Sequence, residues 1–261
     1  MKIPSDVRRA ARDGLLRTTT AGMAPGFAQA NLAVVTRDWA GEFREFCERN
    51  PQPCPLLDVT EPGSPRPMRL APDADIRYDL PGYRIFRDGS FTDATDLASV
   101  WTNDMVAFLI GCSFSFEDAM LRDRIPVRHI ELGRTVPMFV TNIDCTPVGR
   151  LSGPTVVSMR PIPLGSVDRV REICARYPGS HGAPLHIGDP SAIGIADVGR
   201  PDFGDAVPIG PDEVPVFWAC GVTPQIVLDR SGCPTWASHK PGCMFVSDRE
   251  ETIDRLRATT A

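Results

Sequence analysis

Hydrophobic positions in this chain follow two spacings, and each spacing predicts one type of element. Between residues 38 and 47 the apolar side chains recur at a period typical of one helix face, namely at Trp39, Phe43, Phe46 and Cys47. Residues 83–87 instead alternate as a strand does, and the Asp88-Gly89 pair after them predicts a hairpin. The same patterns predict helices over 6–17 and from residue 166, and strands at 56–59, 136–142, 154–161, 185–188, 214–220 and 243–248.

A long apolar stretch, residues 105–110, stops at a glycine. Asp96 is a suitable N-cap upstream of it, and large apolar residues follow at spacings that fit the inner face of a helix. The pattern therefore predicts a helix from Leu97 to about Ile110.

The segment after this glycine, residues 111–117, is the main candidate for a functional site. We predict that Ser115 is the N-cap of a following helix, with Asp118 three residues later. The free backbone N–H groups at a helix start suit a carboxylate or phosphate ligand. Capping and packing alone would explain the same residues, since caps of this kind are common and usually structural.

The C-terminal third repeats an order of strand, glycine, cap and helix. A strand at 214–220 is followed by Gly221, and then Thr223 and Pro224 predict a helix N-cap and first turn. Asp189 before Pro190 repeats the device. This order is typical of an α/β sheet whose ligand lies beyond the C-terminal ends of the strands.

We therefore predict a mixed α/β fold, in which an α/β sheet domain carries a smaller α+β part in the middle of the chain. Residues 1–65 with 151–261 are expected to form the main, discontinuous domain, and 66–150 the smaller part. The stretch 61–67, with three prolines and a glycine, is the best candidate for the crossing between them.

Composition narrows the classes of partner. The net charge is −5, from 28 basic and 33 acidic residues without a basic run, which argues against nucleic acid or an anionic membrane as the main partner. The eight cysteines form no C-x-x-C pair, which favours reduced, mostly buried thiols. With no secretory signal and no long apolar segment, we expect a cytoplasmic protein that acts on a small molecule and forms a homodimer.

Several single residues leave two explanations open. Arg160 ends a predicted strand, where its guanidinium can bind a substrate carboxylate or pair with an acid such as Glu213. Cys112 and Cys220 each precede a cap, and a helix start lowers a thiol pKa, although buried, inert cysteines are more common.

The histidines raise the question of a metal. His181 and His186 are five residues apart with no third ligand in sequence, so hydrogen-bonded loop histidines are more common than a metal site here. Arg128 and His129, read as strand neighbours, would point to opposite faces, so at most one would enter a pocket. No metal ion and no cofactor are predicted.

Longer segments carry a family resemblance. They are GFAQANL (26–32), FCERNPQPCPLLDV (46–59), WTNDMVAFLIGCSFSFEDAML (101–121), PVRHIELGRTVPMFVTN (126–142), GPTVVSMRPIP (153–163), HGAPLHIGDPSAIGIADVGRPDFGD (181–205) and EVPVFWACGVTPQ (213–225). Together they cover most of residues 20–248 and resemble the D-glutamate cyclase family, whose bacterial members are usually called hydro-lyases. One departure lies near the end, where the family tends to show T-H-x-P-G-H-M: His239 is kept, but Cys243 stands in place of a histidine.

The resemblance implies an α/β fold of two intertwined parts and the dehydrating ring closure of D-glutamate to 5-oxo-D-proline, an activity of vertebrate mitochondrial relatives. Such a reaction needs a base for the amine, donors for the oxyanion and an acid for the leaving hydroxide. We predict that Arg160 binds the α-carboxylate and that His181 or Glu117 transfers protons. The pocket is completed by Cys112, Ser113, Ser115, Asn142, Gly182, His186, Asp189, Cys220 and Thr223.

Other functions are compatible with the same residues. The nearest catalytic alternatives are the reverse hydrolysis and the dehydration of another small hydroxy or amino acid. A non-catalytic binder of a small carboxylate that regulates a partner would use the same helix starts, but it would need no titratable pair in the pocket.

Overall fold

The computed structural model describes residues 1–251, which form two antiparallel β-sheets with helices packed against them. The helices are α1 (Pro4–Arg12), α2 (Arg37–Arg49), α3 (Phe114–Arg122), α4 (Arg128–Glu131), α5 (Val167–Ala175) and α6 (Thr223–Arg230), with short 3-10 helices at Leu164–Ser166, Pro178–Ser180 and Pro190–Ile193. The strands are β1 (Phe27–Thr36), β2 (Leu56–Val59), β3 (Tyr83–Arg87), β4 (Ser90–Ala94), β5 (Met105–Gly111), β6 (Met138–Asp144), β7 (Pro154–Pro163), β8 (His186–Ile187), β9 (Glu213–Ala219), β10 (Thr235–His239) and β11 (Phe245–Glu250). The predicted mixed α/β class is confirmed.

The larger sheet, sheet A, is built around β1. Its strand order is β2-β5-β1-β10-β3-β4, and β11 also pairs with β1. Strand β5 is buried along its whole length, and β1 at every position except its two ends. A strand covered on both faces has no polar side, so its sequence reads as a continuous apolar run.

The predicted helix from Leu97 to Ile110 is wrong. Its second half is strand β5, which pairs antiparallel with β1 from Met105 opposite Thr36 to Gly111 opposite Ala30. A short apolar run fits a buried strand and a buried helix equally well by periodicity. The segment is a strand because it pairs with β1, some 75 residues earlier in the chain. A pattern within the segment itself does not indicate that pairing.

The smaller sheet, sheet B, has the order β6-β7-β9-β8. Its central strand β7 is buried from residue 154 to 162, and it pairs with β9 from Val157 opposite Ala219 to Pro163 opposite Glu213. The strands predicted in this part of the chain are confirmed, with shifts of one or two residues at their ends. All pairings in both sheets are antiparallel, so the predicted order of strand and helix occurs here without a parallel sheet.

Two helices fix the position of the candidate site. Helix α2 buries the predicted apolar face against sheet A, where the ring of Phe43 meets Phe108 edge-on with centroids 4.8 Å apart. Helix α3 contacts β1 of sheet A, while its Phe116 stacks on Trp218 of sheet B at 5.3 Å. Helix α3 therefore joins the two sheets.

The sheets follow other boundaries than the predicted domains. Sheet A is formed by residues 27–111 and 235–250, and sheet B by residues 138–219. The division into residues 1–65 with 151–261 and residues 66–150 stays a prediction. All eight cysteines are free, and seven of them are buried. Within residues 1–251 every helix is too short or too polar to cross a bilayer.

The end of β5 leaves no room for a side chain, because a Cβ added to Gly111 would overlap the carbonyl oxygen of Gly179. We expect Gly111→Ala to lower the free energy of unfolding by about 1–3 kcal/mol, as overpacking does. Denaturant unfolding measures the loss. Gly41→Ala is the control: this exposed site in α2 has no atom within 4 Å of the added Cβ, so alanine should stabilise the helix by about 0.5–1 kcal/mol. Wild-type stability of Gly111→Ala would contradict the contact.

Candidate functional site

Three chain segments meet where β5 ends. The side-chain amide of Asn31 donates a hydrogen bond to the carbonyl oxygen of Gly111 at 2.7 Å. Gly179 lies against Gly111 and Gly221 lies against the Asn31 amide, each so closely that a Cβ would overlap. The starts of α3 and α6 and the loop around residue 180 therefore share one buried region.

Arg160 of β7 lies at the centre of this region and is 0% exposed. Its Nε donates to Oε1 of Glu117 at 2.9 Å, and Nη2 donates to the same oxygen. Its other hydrogen bonds go to the hydroxyls of Ser158 and Ser113, both at 2.9 Å. From the sequence, either a substrate carboxylate or an acidic side chain such as Glu213 could be the partner of Arg160. In the structure the partner is the acidic side chain of Glu117, and Glu213 pairs with Arg128 instead.

Aromatic rings enclose the guanidinium. Its Cζ atom lies 5.0 Å from the ring centroid of Phe116 and 5.1 Å from that of Trp218. Ring faces attract a cation, and they keep water away from the ion pair. In such surroundings the attraction between Arg160 and Glu117 is screened far less than at the surface.

Glu117 is ionised in spite of being 2% exposed. Burial by itself raises the pKa of this carboxyl, but the charge of Arg160 and the hydrogen bond with His129 outweigh burial and lower the pKa to about 2. His129 Nε2 lies 3.5 Å from Oε1. Every hydrogen bond that Glu117 accepts from a described side chain ends on Oε1, so Oε2 has no hydrogen bond from the described side chains and is available to a group outside the ion pair.

A cavity open to solvent lies along α3, and the centre of a water-sized molecule can occupy about 70 Å³ of it. The loop at residues 21–27 forms the opposite wall. We call it the α3 cavity, and its polar lining residues are Gln29, Ser115, Glu117, Asp118, Arg122 and Glu251. Glu117 thus links the buried ion pair to a solvent-open cavity with room for several water-sized groups.

Ser115 supplies an unsatisfied hydroxyl to the α3 cavity. Its Oγ is buried and makes no hydrogen bond of normal geometry with the described residues, although it lies near enough to Glu251 to lower the pKa of that carboxyl. The predicted N-cap role of Ser115 is wrong, because α3 begins at Phe114 with Ser113 in the N-cap position. A buried hydroxyl without a partner is costly, so this one is suited to a ligand.

His181 lies behind the cavity. It is 2% exposed, and its Nδ1 is 2.9 Å from the carbonyl oxygen of Gln52. Burial lowers the pKa of His181 to about 4, so the ring is neutral near pH 7. Its backbone is left-handed, with φ 74°, an uncommon conformation outside glycine. Its neighbour Ser180 reaches the cavity by donating to Glu251 Oε1 at 3.3 Å.

The two predicted site cysteines are protonated thiols. Burial raises the pKa of Cys112 to about 12, and burial raises the pKa of Cys220 as well. Both lie near the charges of Arg160 and Glu117. Of the two explanations left open by the sequence, the buried, inert thiol applies, because the loss of solvent raises the pKa more than the N–H groups that face the sulfur atoms lower it.

Thr223 is held by sheet B. Its Oγ1 accepts a hydrogen bond from the backbone N–H of Val156 at 2.9 Å and lies 3.4 Å from the carbonyl oxygen of the same residue. The predicted N-cap role of Thr223 is wrong, because it is the first residue of α6 and Val222 occupies the N-cap position. The hydroxyl thus connects α6 to β7, and its predicted contact with a substrate stays a prediction.

Other predicted site residues lie around sheet B. Asn142 is exposed on β6 and packs against Gly194, while His186 Nε2 is 2.7 Å from the carbonyl oxygen of Asp189. The carboxylate of Asp189 caps the following 3-10 helix, as the sequence predicted. Gly182 has φ 67° and closes the loop after Tyr177. These residues are not among those that line the α3 cavity.

Sequence reasoning missed three contributors to this region. His129 was read as part of a strand, but it lies in the short helix α4, which points its ring at Glu117. Ser158 stands two residues before Arg160 on β7, and that spacing puts both side chains on one face, a signal that was available. Glu251 reaches the cavity from the end of β11, and only the folded chain brings it there.

Comparison with known proteins gives one consistent result. The profile of a family described as D-glutamate cyclase matches residues 106–248. A Bacillus licheniformis protein named "Putative hydro-lyase" is 55% identical over 97% of both chains, and its Bacillus subtilis counterpart is 53% identical over 96% of this chain and 98% of its own. A nitrogen repressor-like protein of Methanococcus jannaschii superposes with a TM-score of 0.40 at 10% identity, covering 94% and 97% of the two chains, which is too low to support an inference.

Glu117→Gln should destabilise the protein by about 3–5 kcal/mol at pH 7, because Arg160 would stay charged and buried without a counter-charge. The folded-state pKa of Glu117 is lowered from 4.5 to about 2, so its stabilisation is present above pH 4.5 and is lost as the pH falls toward 2. We therefore expect the difference between variant and wild type to shrink in that window. Denaturant unfolding at pH 7 and pH 3 measures it.

The control for this variant is Glu172→Gln. Glu172 lies on α5 with its side chain 63% exposed and paired only with Arg169, so we expect a change within about 0.5 kcal/mol at either pH. A loss for Glu117→Gln that is the same at both pH values would show that the carboxylate charge does not stabilise the fold.

Proposed function

This chain belongs to the D-glutamate cyclase family, and on that premise we propose that it is a hydro-lyase that removes water from a small amino or hydroxy acid. We propose D-glutamate as the substrate and 5-oxo-D-proline as the product. The observation that carries the proposal is the ionised Glu117 carboxylate, which Arg160 holds at the floor of the α3 cavity.

An amino acid fits this cavity better than a hydroxy acid. Oε2 of Glu117 carries negative charge in buried surroundings, and a substrate ammonium group placed there gains a strong attraction. A hydroxyl group gains only a hydrogen bond. The substrate carboxylates then face the N–H groups at the start of α3 and the side chain of Arg122 at the rim, since both favour an anion.

Arg160 acts in this proposal through Glu117. Its guanidinium is occupied by Glu117, Ser158 and Ser113, so it keeps the carboxylate ionised and in place. We assign it a positioning role in place of the direct substrate contact expected from the sequence. The pocket then needs a different group to polarise the reacting carboxyl.

Ser115 is suited to that task. Its hydroxyl has no partner in the described part of the chain and lies one turn before Asp118 on the cavity wall. In the ring closure the amine attacks the side-chain carboxyl, and an oxyanion develops on the carboxyl oxygen. A hydroxyl and free N–H groups aimed at that oxygen stabilise the transition state more than the ground state.

His181 stays a candidate for proton transfer. Its neutral ring can accept a proton, but its Nδ1 is engaged with Gln52 and it does not line the cavity. Any proton would pass through Ser180, the neighbour that reaches Glu251. On this proposal His181→Asn slows turnover less than a change in a residue that lines the cavity.

The purified protein should convert D-glutamate to 5-oxoproline, which chiral chromatography detects, and L-glutamate is the stereochemical control. Ser115→Ala should lower kcat by about 10²–10³, the cost of one oxyanion donor. The matched variant Ser152→Ala changes an exposed serine and should retain wild-type kcat.

Two outcomes would remove D-glutamate as the proposed substrate. A shift in melting temperature with D-glutamate, but without product in either direction of the reaction, would favour the non-catalytic carboxylate binder. Turnover of a hydroxy acid in place of D-glutamate would retain a dehydrating activity but exclude recognition of an ammonium group by Glu117.

A further inference from the structure

Glu251 lines the α3 cavity together with Ser115 and Glu117. Its backbone N–H donates to the carbonyl oxygen of Gly26 at 2.9 Å, and the hydroxyl of Ser180 donates to its Oε1 at 3.3 Å. No described arginine or lysine lies within ion-pair distance of its carboxylate, whereas Arg160 neutralises Glu117. The cavity thus holds two carboxyl groups in opposite electrostatic surroundings.

The two surroundings separate the pKa values of these carboxyl groups. Burial raises the pKa of Glu251 above its ordinary value, while the Arg160 charge brings that of Glu117 to about 2 in spite of burial. Two carboxyl groups whose environments push their pKa values apart are the usual arrangement for dividing acid–base work from charge stabilisation. The hydroxyl of Ser115 on the same cavity wall makes no hydrogen bond of normal geometry with the described residues, but it lies near enough to Glu251 to lower the pKa of that carboxyl, so the two groups face one space.

We infer that Glu251 is the acid–base residue of the α3 cavity, which moves protons from the substrate nitrogen to the departing oxygen. This inference rests on the proposed function. The substrate ammonium carries three hydrogens and the ring nitrogen of 5-oxoproline carries one, so two protons leave the nitrogen. The carbon–nitrogen bond forms, one carbon–oxygen bond breaks, and the departing oxygen takes both protons and leaves as water.

One carboxylate can perform both transfers in turn. Glu251 accepts a proton from the ammonium group before the attack and returns it to the oxygen as the tetrahedral intermediate collapses, and the second proton follows the same route. No oxidant, reductant or further reactant is needed. Glu117 is unsuited to this task because the charge of Arg160 makes it too weak a base.

The rate should therefore depend on the ionisation of Glu251. The charged and titratable groups around it are Glu117, Asp118 and Arg122 of α3, Tyr177 and His181 of the neighbouring loop, and Arg249 of β11. A glutamate that must first accept a proton gives an acidic limb in the pH profile of kcat/KM. We expect that limb in the wild type and its loss in Glu251→Gln.

Glu251→Gln should lower kcat for D-glutamate by about 10²–10⁴ and leave KM within about threefold, since a glutamine keeps the shape but transfers no proton. Glu250→Gln is the matched control: it changes the preceding, exposed glutamate and should retain wild-type kcat. Glu251→Asp should retain part of the activity with a shifted acidic limb. A KM increase at unchanged kcat would assign Glu251 to binding and overturn the inference.

A second measurement separates this inference from the proposed function. If the wild type forms no 5-oxoproline, the proposed function fails. Carbon-13 NMR of carboxyl-labelled protein then tests Glu251 alone, because its signal is the one that Glu251→Gln removes. A Glu251 signal that titrates above the ordinary glutamate range supports an acid–base group, and one that titrates at or below that range overturns the inference. If the wild type does form 5-oxoproline, equal kcat values for the Glu250→Gln and Glu251→Gln variants also overturn it.

Discussion

The ion pair between Arg160 and Glu117 is the constraint on which the rest of the structure depends. The arginine comes from the central strand of sheet B, and the glutamate from the helix that joins sheet B to sheet A. Two charges withdrawn from water cost several kcal/mol each unless they meet in good geometry with their remaining hydrogen-bond sites filled. Ser113, Ser158 and His129 fill the sites around the guanidinium and Oε1 of Glu117, so the pair can form only when three separate chain segments are in place.

The same interaction gives the cavity its chemical character. One carboxylate oxygen of Glu117 is saturated by the ion pair, which leaves the other with negative charge and little mobility. Around it lie features that would be unfavourable in an ordinary core, such as the unpartnered Ser115 hydroxyl and the left-handed backbone of His181. Departures of this kind persist where the surrounding structure enforces them, and they concentrate at functional sites.

The sequence predicted correctly those elements that are determined by the spacing of residues within the element itself. The buried face of α2 and the β3–β4 hairpin follow from spacing and from Asp88-Gly89, whereas β5 was mistaken for a helix because only its pairing with β1 identifies it. For the site, the residues of α3 and Arg160 were predicted as neighbours and do meet. The contributions of His129 and Glu251 depend on contacts between distant segments, and no single-sequence pattern encodes such contacts.

Cys243, which stands where the family tends to show a histidine, lies beside the segment that supports the cavity wall. The thiol lies 3.5 Å from the carbonyl oxygen of Thr18, and the preceding Gly242 carbonyl accepts the backbone N–H of Thr20 at 2.9 Å. The Thr20 hydroxyl in turn donates to Gln29 at 2.7 Å, which fixes the loop opposite α3. A thiol is a weak donor, so the loop depends mainly on the backbone and threonine bonds. Cys243 therefore contacts the segment that leads into the loop at residues 21–27 and is not among the residues that line the cavity.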